Sequence, residues 1–209
     1  MLDDIDEILR GEIRRIKSDD QLFVPGEDYW MNAWLDRYPD LTELYIVGYK
    51  EAGDTLVNSV ANRGGSADSL IFPIVFLYRH YIELRLKSLL QEGHLLLARE
   101  YKPNPEHKLS KLWRKVRRIL IEIWPDENEN DLEEFDSLVA QFEQVDPRST
   151  TFRYPKDLDG NNSVKIQSPI INLKNIKDVI GSMAIILEGS AAGISEYQGH
   201  QNDMRNGLW

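Results

Sequence analysis

The stretch LIFPIVFLYRHYIELRLKSLL, residues 70–90, is the most apolar run in the chain and decides the fold. Its length and composition predict one long and largely buried helix. Its middle contains Arg79, His80, Glu83 and Lys87. At about 100° per residue they fall within an arc of roughly 100° on the helix surface. These side chains need partners, because an unpaired buried charge is very unfavourable.

Two interpretations of this charged stripe are open. In the first, Arg79, Glu83 and Lys87 form a ladder of ion pairs at i, i+4 and i+8, and the stripe is a structural ion network. In the second, Arg79, with or without His80, points into a polar cleft. There it binds phosphate or stabilises developing negative charge, and Glu83 holds it in place.

The chain has 209 residues, no cysteine, 42% hydrophobic residues and a formal net charge of −10 at pH 7. These values predict one domain over residues 1–209. The helical patterns described below make it α-helical, with N-terminal helices in 1–65 and a bundle in 66–205. The acidic start does not resemble a secretory signal, and charges interrupt the apolar runs, so no membrane span is expected. We therefore expect a cytoplasmic protein without disulfides.

Helical periodicity continues on both sides of the central stretch. Helices are predicted over residues 3–18, 41–61, 66–91 with Gly93 as the end, 106–124, 131–144 and from Asn172 or Asn175 to about Met204, with a short aromatic segment over 28–38. Short loops between long helices predict an all-α antiparallel helical bundle. Strand propensity at 150–155 and the turn signal at 159–162 predict a short β-hairpin inserted near 150–166.

The segment 106–124 separates apolar from basic residues. The basic face is a candidate RNA-binding surface, because Lys and Arg on one helix face bind phosphates. Its candidate residues are Lys108, Lys111, Arg114, Lys115 and Arg118. An acidic block follows over residues 126–136. In the alternative interpretation the two blocks are neighbouring solvated faces that attract each other.

Two residues outside the central stretch are further candidates. His107 opens the basic helix, where the helix dipole disfavours its imidazolium form, so it is a candidate neutral base or else an exposed capping histidine. Arg153 lies between Phe152 and Tyr154, where it either stacks on a base and pairs with phosphate or anchors the hairpin through a carboxylate such as Glu83. The scattered histidines match no zinc spacing, so neither a metal nor a cofactor is expected.

Three segments together resemble the HEPN superfamily, in particular HEPN-like proteins of prokaryotic defence and toxin–antitoxin neighbourhoods. They are PIVFLYRHYIELRLKSLL at 73–90, HKLSKLW at 107–113 and TTFRYPKDLDG at 150–160. The resemblance covers about residues 66–205. It implies a four- or five-helix bundle that usually dimerises. Many members are metal-independent endoribonucleases with an Arg-x4–6-His motif near the dimer interface, and others are non-catalytic RNA-binding or partner-binding modules.

The chain departs from the catalytic pattern of that family, because Arg79 and His80 are adjacent. The motif is therefore not transferred. A related site would be built from separated segments, with Arg79, His80, Glu83, His107 and Arg153 as the candidate catalytic residues.

The leading hypothesis is a defence-associated HEPN-like homodimer that binds RNA or a nucleotide-bearing partner and cleaves RNA without a metal. The alternative is a non-catalytic structural or adaptor subunit. Its basic helix or aromatic N-terminal part would contact a protein partner encoded nearby. A small-molecule hydrolase or nucleotide-processing enzyme is a third hypothesis.

Overall fold

The structure is a computed structural model that describes residues 16–103, 105–126, 130–166, 168, 170–205 and 207. The helix predicted over residues 3–18 lies almost entirely outside the described residues. Contacts divide the chain into two compact units, Met1–Pro39 and Asp40–Trp209. The single domain predicted over 1–209 stays a prediction.

The described part of the first unit contains one 3-10 turn, Tyr29–Met31, and no longer helix. The helical spacing of its aromatic residues does not continue, because Asn32 adopts an extended conformation after the turn. The Asn32 amide closes a loop instead. Its nitrogen donates to the Gly26 carbonyl (2.9 Å), and its oxygen accepts the Gly26 N–H (2.7 Å). The large hydrophobic side chains of this segment are exposed.

Five helices form the second unit, and the part of the chain that the structure describes contains no β-strand. They are α1 (Thr42–Ala61), α2 (Ala67–Leu96), α3 (Leu109–Ile123), α4 (Asn130–Val145) and α5 (Leu173–Arg205). Two of the predicted starts have the expected side-chain bonds. Asp40 accepts the Thr42 N–H (2.8 Å), and Asn172 accepts the Asn175 N–H (3.0 Å). The prediction of an all-α helical bundle is confirmed.

Helix α2 is the central element of this unit. It packs against α1, α3 and α5, while α4 packs mainly on α3. Many of its apolar side chains are almost fully buried, among them Tyr78, Ile82, Leu86 and Leu89. Each fully buried large side chain contributes about 1.5–3 kcal/mol of hydrophobic stabilisation, so the central stretch of the sequence supplies much of the core.

Gly93 does not end α2 as predicted, because the helix continues to Leu96. The glycine lies at the crossing of α2 and α3. A Cβ added to Gly93 would overlap Cγ2 of Ile119. The absence of a side chain therefore lets the two helices approach each other at this point, which is a packing role and not a capping role.

We expect Gly93→Ala to destabilise the protein by about 1–3 kcal/mol, because a methyl group there overpacks the α2–α3 crossing. Gly181→Ala is the matched control in a helix. A Cβ at Gly181 has open space around it. That change should be neutral or stabilise by up to about 1 kcal/mol. Urea unfolding of both variants measures these changes. If Gly93→Ala were as stable as the unchanged chain, Gly93 would not be needed for the close approach of α2 and α3.

The β-hairpin predicted near 150–166 is not confirmed. Residues 151–153 form a turn, because the Asp146 carboxylate accepts the N–H groups of Thr150 (2.7 Å) and Thr151 (3.0 Å). The predicted turn is present, with Gly160 at a φ of 79°. One antiparallel bridge, between Lys156 and Asn162, joins its two sides.

Helix α5 is long and apolar enough to cross a membrane by length and composition alone. The mean hydropathy of its most apolar 18-residue window is 1.3, and 28% of that window is buried inside the protein. The charges in the sequence do not interrupt this helix as often as expected. Core helices of proteins in water meet the same two criteria, so this finding alone does not indicate a membrane.

Candidate functional site

Arg79 is the centre of a buried polar cluster. Only 1% of its surface is exposed, although it carries a full positive charge. Its Nη1 donates to Glu83 Oε2 (3.1 Å) and to Ser149 Oγ (2.6 Å), and its Nη2 donates to the His107 carbonyl (2.8 Å). Its Nε forms an ion pair with Asp146 Oδ2 (3.3 Å). One guanidinium thus joins α2, the start of α3 and the end of α4.

Glu83 lies one helical turn after Arg79 and is 2% exposed. Its second oxygen, Oε1, accepts bonds from Lys87 Nζ (2.8 Å) and His107 Nδ1 (2.8 Å). Burial alone would raise the pKa of Glu83. The hydrogen bonds from Lys87 and His107, with the charges of Lys87 and Arg79, outweigh burial and hold the pKa of Glu83 below its ordinary value. The carboxylate is therefore ionised at neutral pH.

The ionised Glu83 defines the state of the His107 ring. A carboxylate only accepts hydrogen bonds, so the His107 Nδ1 carries a proton, and in a neutral ring Nε2 has the lone pair. The side chain of His107 is 65% exposed while that of Glu83 is 3% exposed. A buried carboxylate thus orients an imidazole whose other nitrogen is available as a base, as in catalytic histidine–carboxylate pairs.

Glu106 fixes the segment that carries His107. Its Oε1 accepts the N–H groups of His107 (3.2 Å) and Lys108 (3.1 Å), and its Oε2 pairs with Lys111 Nζ (2.9 Å). The bond from Lys111, followed by the backbone bonds, lowers the pKa of Glu106 to about 2. Glu106 therefore accepts hydrogen bonds from two backbone N–H groups just ahead of α3, which have no partner within the helix.

The end of α4 closes the cluster from the other side. Asp146 is 3% exposed and binds Arg79 through one oxygen and two backbone N–H groups through the other. Ser149 lies three residues later with a φ of 60°, a conformation that is uncommon for a residue other than glycine. That conformation belongs to the turn that brings its hydroxyl to the Arg79 guanidinium.

The two remaining candidates lie beside this cluster. Arg153 Nε donates to the Ser149 carbonyl (2.8 Å), and its guanidinium lies over Phe76 at 6.0 Å. His80 stacks on Phe76, with ring centroids 5.8 Å apart, and meets Tyr49 edge-on at 4.4 Å. Burial lowers the pKa of His80, and nearby Glu83 opposes this effect. The ring is therefore neutral at pH 7 and packs as an aromatic group.

All five predicted catalytic residues thus lie in one connected region, but they differ in exposure. Arg79 and Glu83 are buried, His80 is half-buried, and His107 and Arg153 are exposed. The predicted ladder of Arg79, Glu83 and Lys87 is present, since both ion pairs form through Glu83. Arg79 has its donors directed to protein groups, so in this arrangement it positions its neighbours and does not face solvent.

Sequence reasoning missed two parts of this polar interior. Asp146 and Ser149 come from the α4 end, and no motif marks them. Arg85, 3% exposed, lies in the central stretch but outside the charged arc. It binds Glu43 of α1 through Nη1 (2.6 Å) and Glu188 of α5 through Nη2 (2.6 Å). The position of Arg85 inside an apolar run was the available signal that it needs buried partners. The sequence does not identify those partners, because Glu43 and Glu188 are far from Arg85 along the chain.

The predicted RNA-binding residues lie on the solvent side of α3. Lys108, Lys111, Arg114, Lys115 and Arg118 are all exposed. Lys111 pairs with Glu106, and among the described residues none of the other four forms an ion pair with a carboxylate. Neighbouring Arg117 is half-buried and approaches Asp136 of α4 (3.6 Å). The attraction between the basic and acidic blocks therefore involves Arg117 and leaves most of the basic face open.

No family model matches the chain, and no curated protein or solved structure is similar enough to it to count as a match. The HEPN resemblance, the homodimer, the nearby-encoded partner and the cytoplasmic location stay predictions. Among the described residues, no group of three or more His, Asp or Glu side chains is arranged to hold a metal ion.

Proposed function

We propose that this chain binds RNA along α3 and cleaves it without a metal, with His107 as the general base. The observation that carries the proposal is the bond between His107 Nδ1 and the buried Glu83 carboxylate (2.8 Å), directly ahead of the exposed basic face. An oriented histidine beside an exposed basic surface would supply a general base and cations for the phosphate, two of the contributions on which RNA cleavage without a metal depends.

The chemistry needs only groups of the chain and the RNA itself. His107 Nε2 takes the proton of a ribose 2′-hydroxyl, and the 2′-oxygen attacks the adjacent phosphorus. The bond from phosphorus to the 5′-oxygen breaks, and that oxygen takes a proton from water. The products are a 2′,3′-cyclic phosphate and a 5′-hydroxyl. Arg153, which is exposed and bonds the Ser149 carbonyl of this cluster, would stabilise the negative charge on the phosphoryl oxygens.

In this proposal Arg79 is a positioning residue and does not touch RNA. It holds Glu83 through Nη1 and the His107 carbonyl through Nη2. These bonds fix both partners of the His107–Glu83 pair. A base held in one orientation reacts faster than a mobile one, because its side chain is already ordered before RNA binds.

The basic face supports the binding part of the proposal. Lys108 and Arg118 are ten residues apart, which spans about 15 Å of helix, enough to meet several phosphates. Two like-charge pairs lie at i, i+4 on this face, Lys111 with Lys115 and Arg114 with Arg118. Each costs about 0.2–0.5 kcal/mol in the absence of an anion. A phosphate bound between them would remove that repulsion.

The salt dependence of RNA binding tests this face. Arg114→Ala/Arg118→Ala removes two cations, so the slope of log K against log salt for single-stranded RNA should become shallower by about 1.4. Lys165→Ala/Lys174→Ala removes the same charge from exposed positions outside α3 and should leave the slope unchanged. Fluorescence anisotropy at several salt concentrations measures both. Equal slopes in the two double variants would refute binding along α3.

A specific observation also favours the adaptor function as a second candidate. The described part of the first unit exposes large apolar side chains that a protein partner would bury. They are Phe23 at 97%, Met31 at 77%, Tyr29 and Leu35 at 73%, Trp30 at 69% and Trp34 at 60% exposure.

We expect the adaptor function to require this aromatic segment. Trp30→Ala/Trp34→Ala should abolish co-purification of a protein encoded nearby, since exposed tryptophans are frequent binding hot spots. Because both side chains are exposed, the melting temperature should not change. Tyr154→Ala, which removes an exposed aromatic ring elsewhere, is the control. Retention of the partner by the double variant would exclude this surface.

A further inference from the structure

An open groove runs between α4 and α5. Helix α4 packs mainly on α3, and it has at most slight contact with α5. Three recesses of about 490, 270 and 270 Å³ are lined by residues of both helices, together with Leu120, Ile121 and Trp124 of α3 in the first and Phe152, Ile166 and Ile171 in the third. Neighbouring recesses share lining residues: Ile185 and Ile186 in one case, Leu138 and Met183 in the other. The recesses are therefore sections of one groove.

The groove has the length and surface of a helix-binding site. It follows α5 from Asn175 to Tyr197, which at 1.5 Å per residue is about 33 Å. Its walls are mostly apolar, and Ile185 in the middle is 76% exposed. Gly189 adds no side chain, and the position of its missing Cβ has open space around it. A partner helix could thus approach the backbone of α5 closely.

Among the residues that the structure describes, the charged ones that line the groove are acidic. Asp131 and Glu134 line it from α4, and Glu196 lines it from α5. None of the basic residues proposed to bind RNA lines any of the three recesses. A second copy of the chain, with a formal charge of −10, would bring the same carboxylates to a two-fold interface. The charges therefore favour a basic partner over a second copy.

We propose that this groove binds an amphipathic helix of a partner protein, with Leu or Ile on one face and Lys or Arg along its flanks. The apolar face would cover Ile185 and its neighbours, and the flanking cations would pair with Asp131, Glu134 and Glu196. This inference does not depend on the proposed function, because it uses a different surface.

A designed peptide tests the groove in the full chain. The probe is a helix of about 20 residues, long enough to fill most of the groove, with Leu at helical spacing and Lys on both flanks. The matched peptide has Glu in place of Lys. Anisotropy should show binding of the Lys peptide, weakened about tenfold by Ile185→Glu. Asp131→Lys/Glu134→Lys should reverse the preference toward the Glu peptide, and Leu158→Glu, exposed outside the groove, should change nothing.

Three outcomes would overturn the inference. The first is no binding of either peptide, and the second is equal binding of both, which would exclude recognition by charge. The third is a dimer in solution that Ile185→Glu converts to a monomer, because a second copy would then occupy the groove. The double variant Arg114→Ala/Arg118→Ala, which tests RNA binding, should bind the Lys peptide as tightly as the unchanged chain. The groove proposal can therefore fail independently of the RNA proposal.

Discussion

Replacing Arg79 by Met should lower the free energy of unfolding by about 3–5 kcal/mol, because it removes the cation paired with the buried carboxylates of Glu83 and Asp146, of which Glu83 keeps its bond from Lys87. Both carboxylates are at most 3% exposed, so water cannot replace the guanidinium unless the structure opens. Chemical unfolding at neutral pH measures the loss. A reduction of this size would make the variant one of the least stable single substitutions in the chain.

Lys87→Met is the control for Arg79→Met. Lys87 contacts the same Glu83, but its side chain is 26% exposed and Glu83 is its one ion-pair partner among the described residues. Its removal should therefore cost no more than about 1 kcal/mol. In Arg79→Met/Glu83→Leu the two losses should not add, because the second change removes a carboxylate that has already lost its bond from Arg79. If Arg79→Met were as stable as Lys87→Met, the cluster would not be a structural network.

The second large effect is expected at His107. His107→Ala should slow RNA cleavage about 10²–10⁴-fold, since that is the usual contribution of a general base. RNA binding should change little, because the cations of α3 supply it. Stability should change only slightly, as the side chain is mostly exposed. Cleavage of a labelled RNA in the presence of a chelator, with anisotropy for binding, separates the two effects.

His200→Ala is the matched control for His107→Ala. His200 is also an exposed histidine, in the last turns of α5, and should contribute nothing to cleavage. If both variants cleave at the same rate, His107 is not the base. If the unchanged chain does not cleave RNA at all, the catalytic part of the proposal is wrong. The salt dependence of binding then tests whether the chain still binds RNA along α3.

The helices were predictable because their patterns are local. Apolar periodicity located all five helices of the second unit, and side chains such as Asn172 marked where they begin. Gly93 shows the limit of this reasoning. A glycine that ends a helix and a glycine that admits Ile119 of another helix look alike in sequence. The hairpin prediction had the same limit. The Asp146 carboxylate accepts the backbone N–H groups of residues 150 and 151 and holds them in a turn, and strand propensity does not take such a side-chain contact into account.

The candidate site was predictable in part. The spacing of Arg79, Glu83 and Lys87 predicts ion pairs on one helix, and these are present. Charges on an apolar helix also show that partners must exist elsewhere. They do not identify Asp146, which is 67 residues after Arg79 and pairs with it only because α4 ends beside α2. Contacts of this range depend on the packing of whole helices.

The two interpretations of the charged stripe are compatible in this structure. Arg79 and Glu83 form a buried network, as the structural interpretation requires. The same network holds the exposed ring of His107 through Glu83, as a site requires. The proposed positioning role for Arg79 therefore predicts that Arg79 variants lose both stability and cleavage.

The proposed function requires that the His107 ring lie where RNA bound on α3 reaches it. Long-range ¹H–¹⁵N spectra of the histidine rings test this directly during titration with single-stranded RNA. We predict that the His107 ring signals shift on binding, while those of His94, whose Nδ1 bonds the Leu90 carbonyl near the end of α2, stay in place. Unchanged His107 signals at saturating RNA would contradict this position of the His107 ring relative to bound RNA.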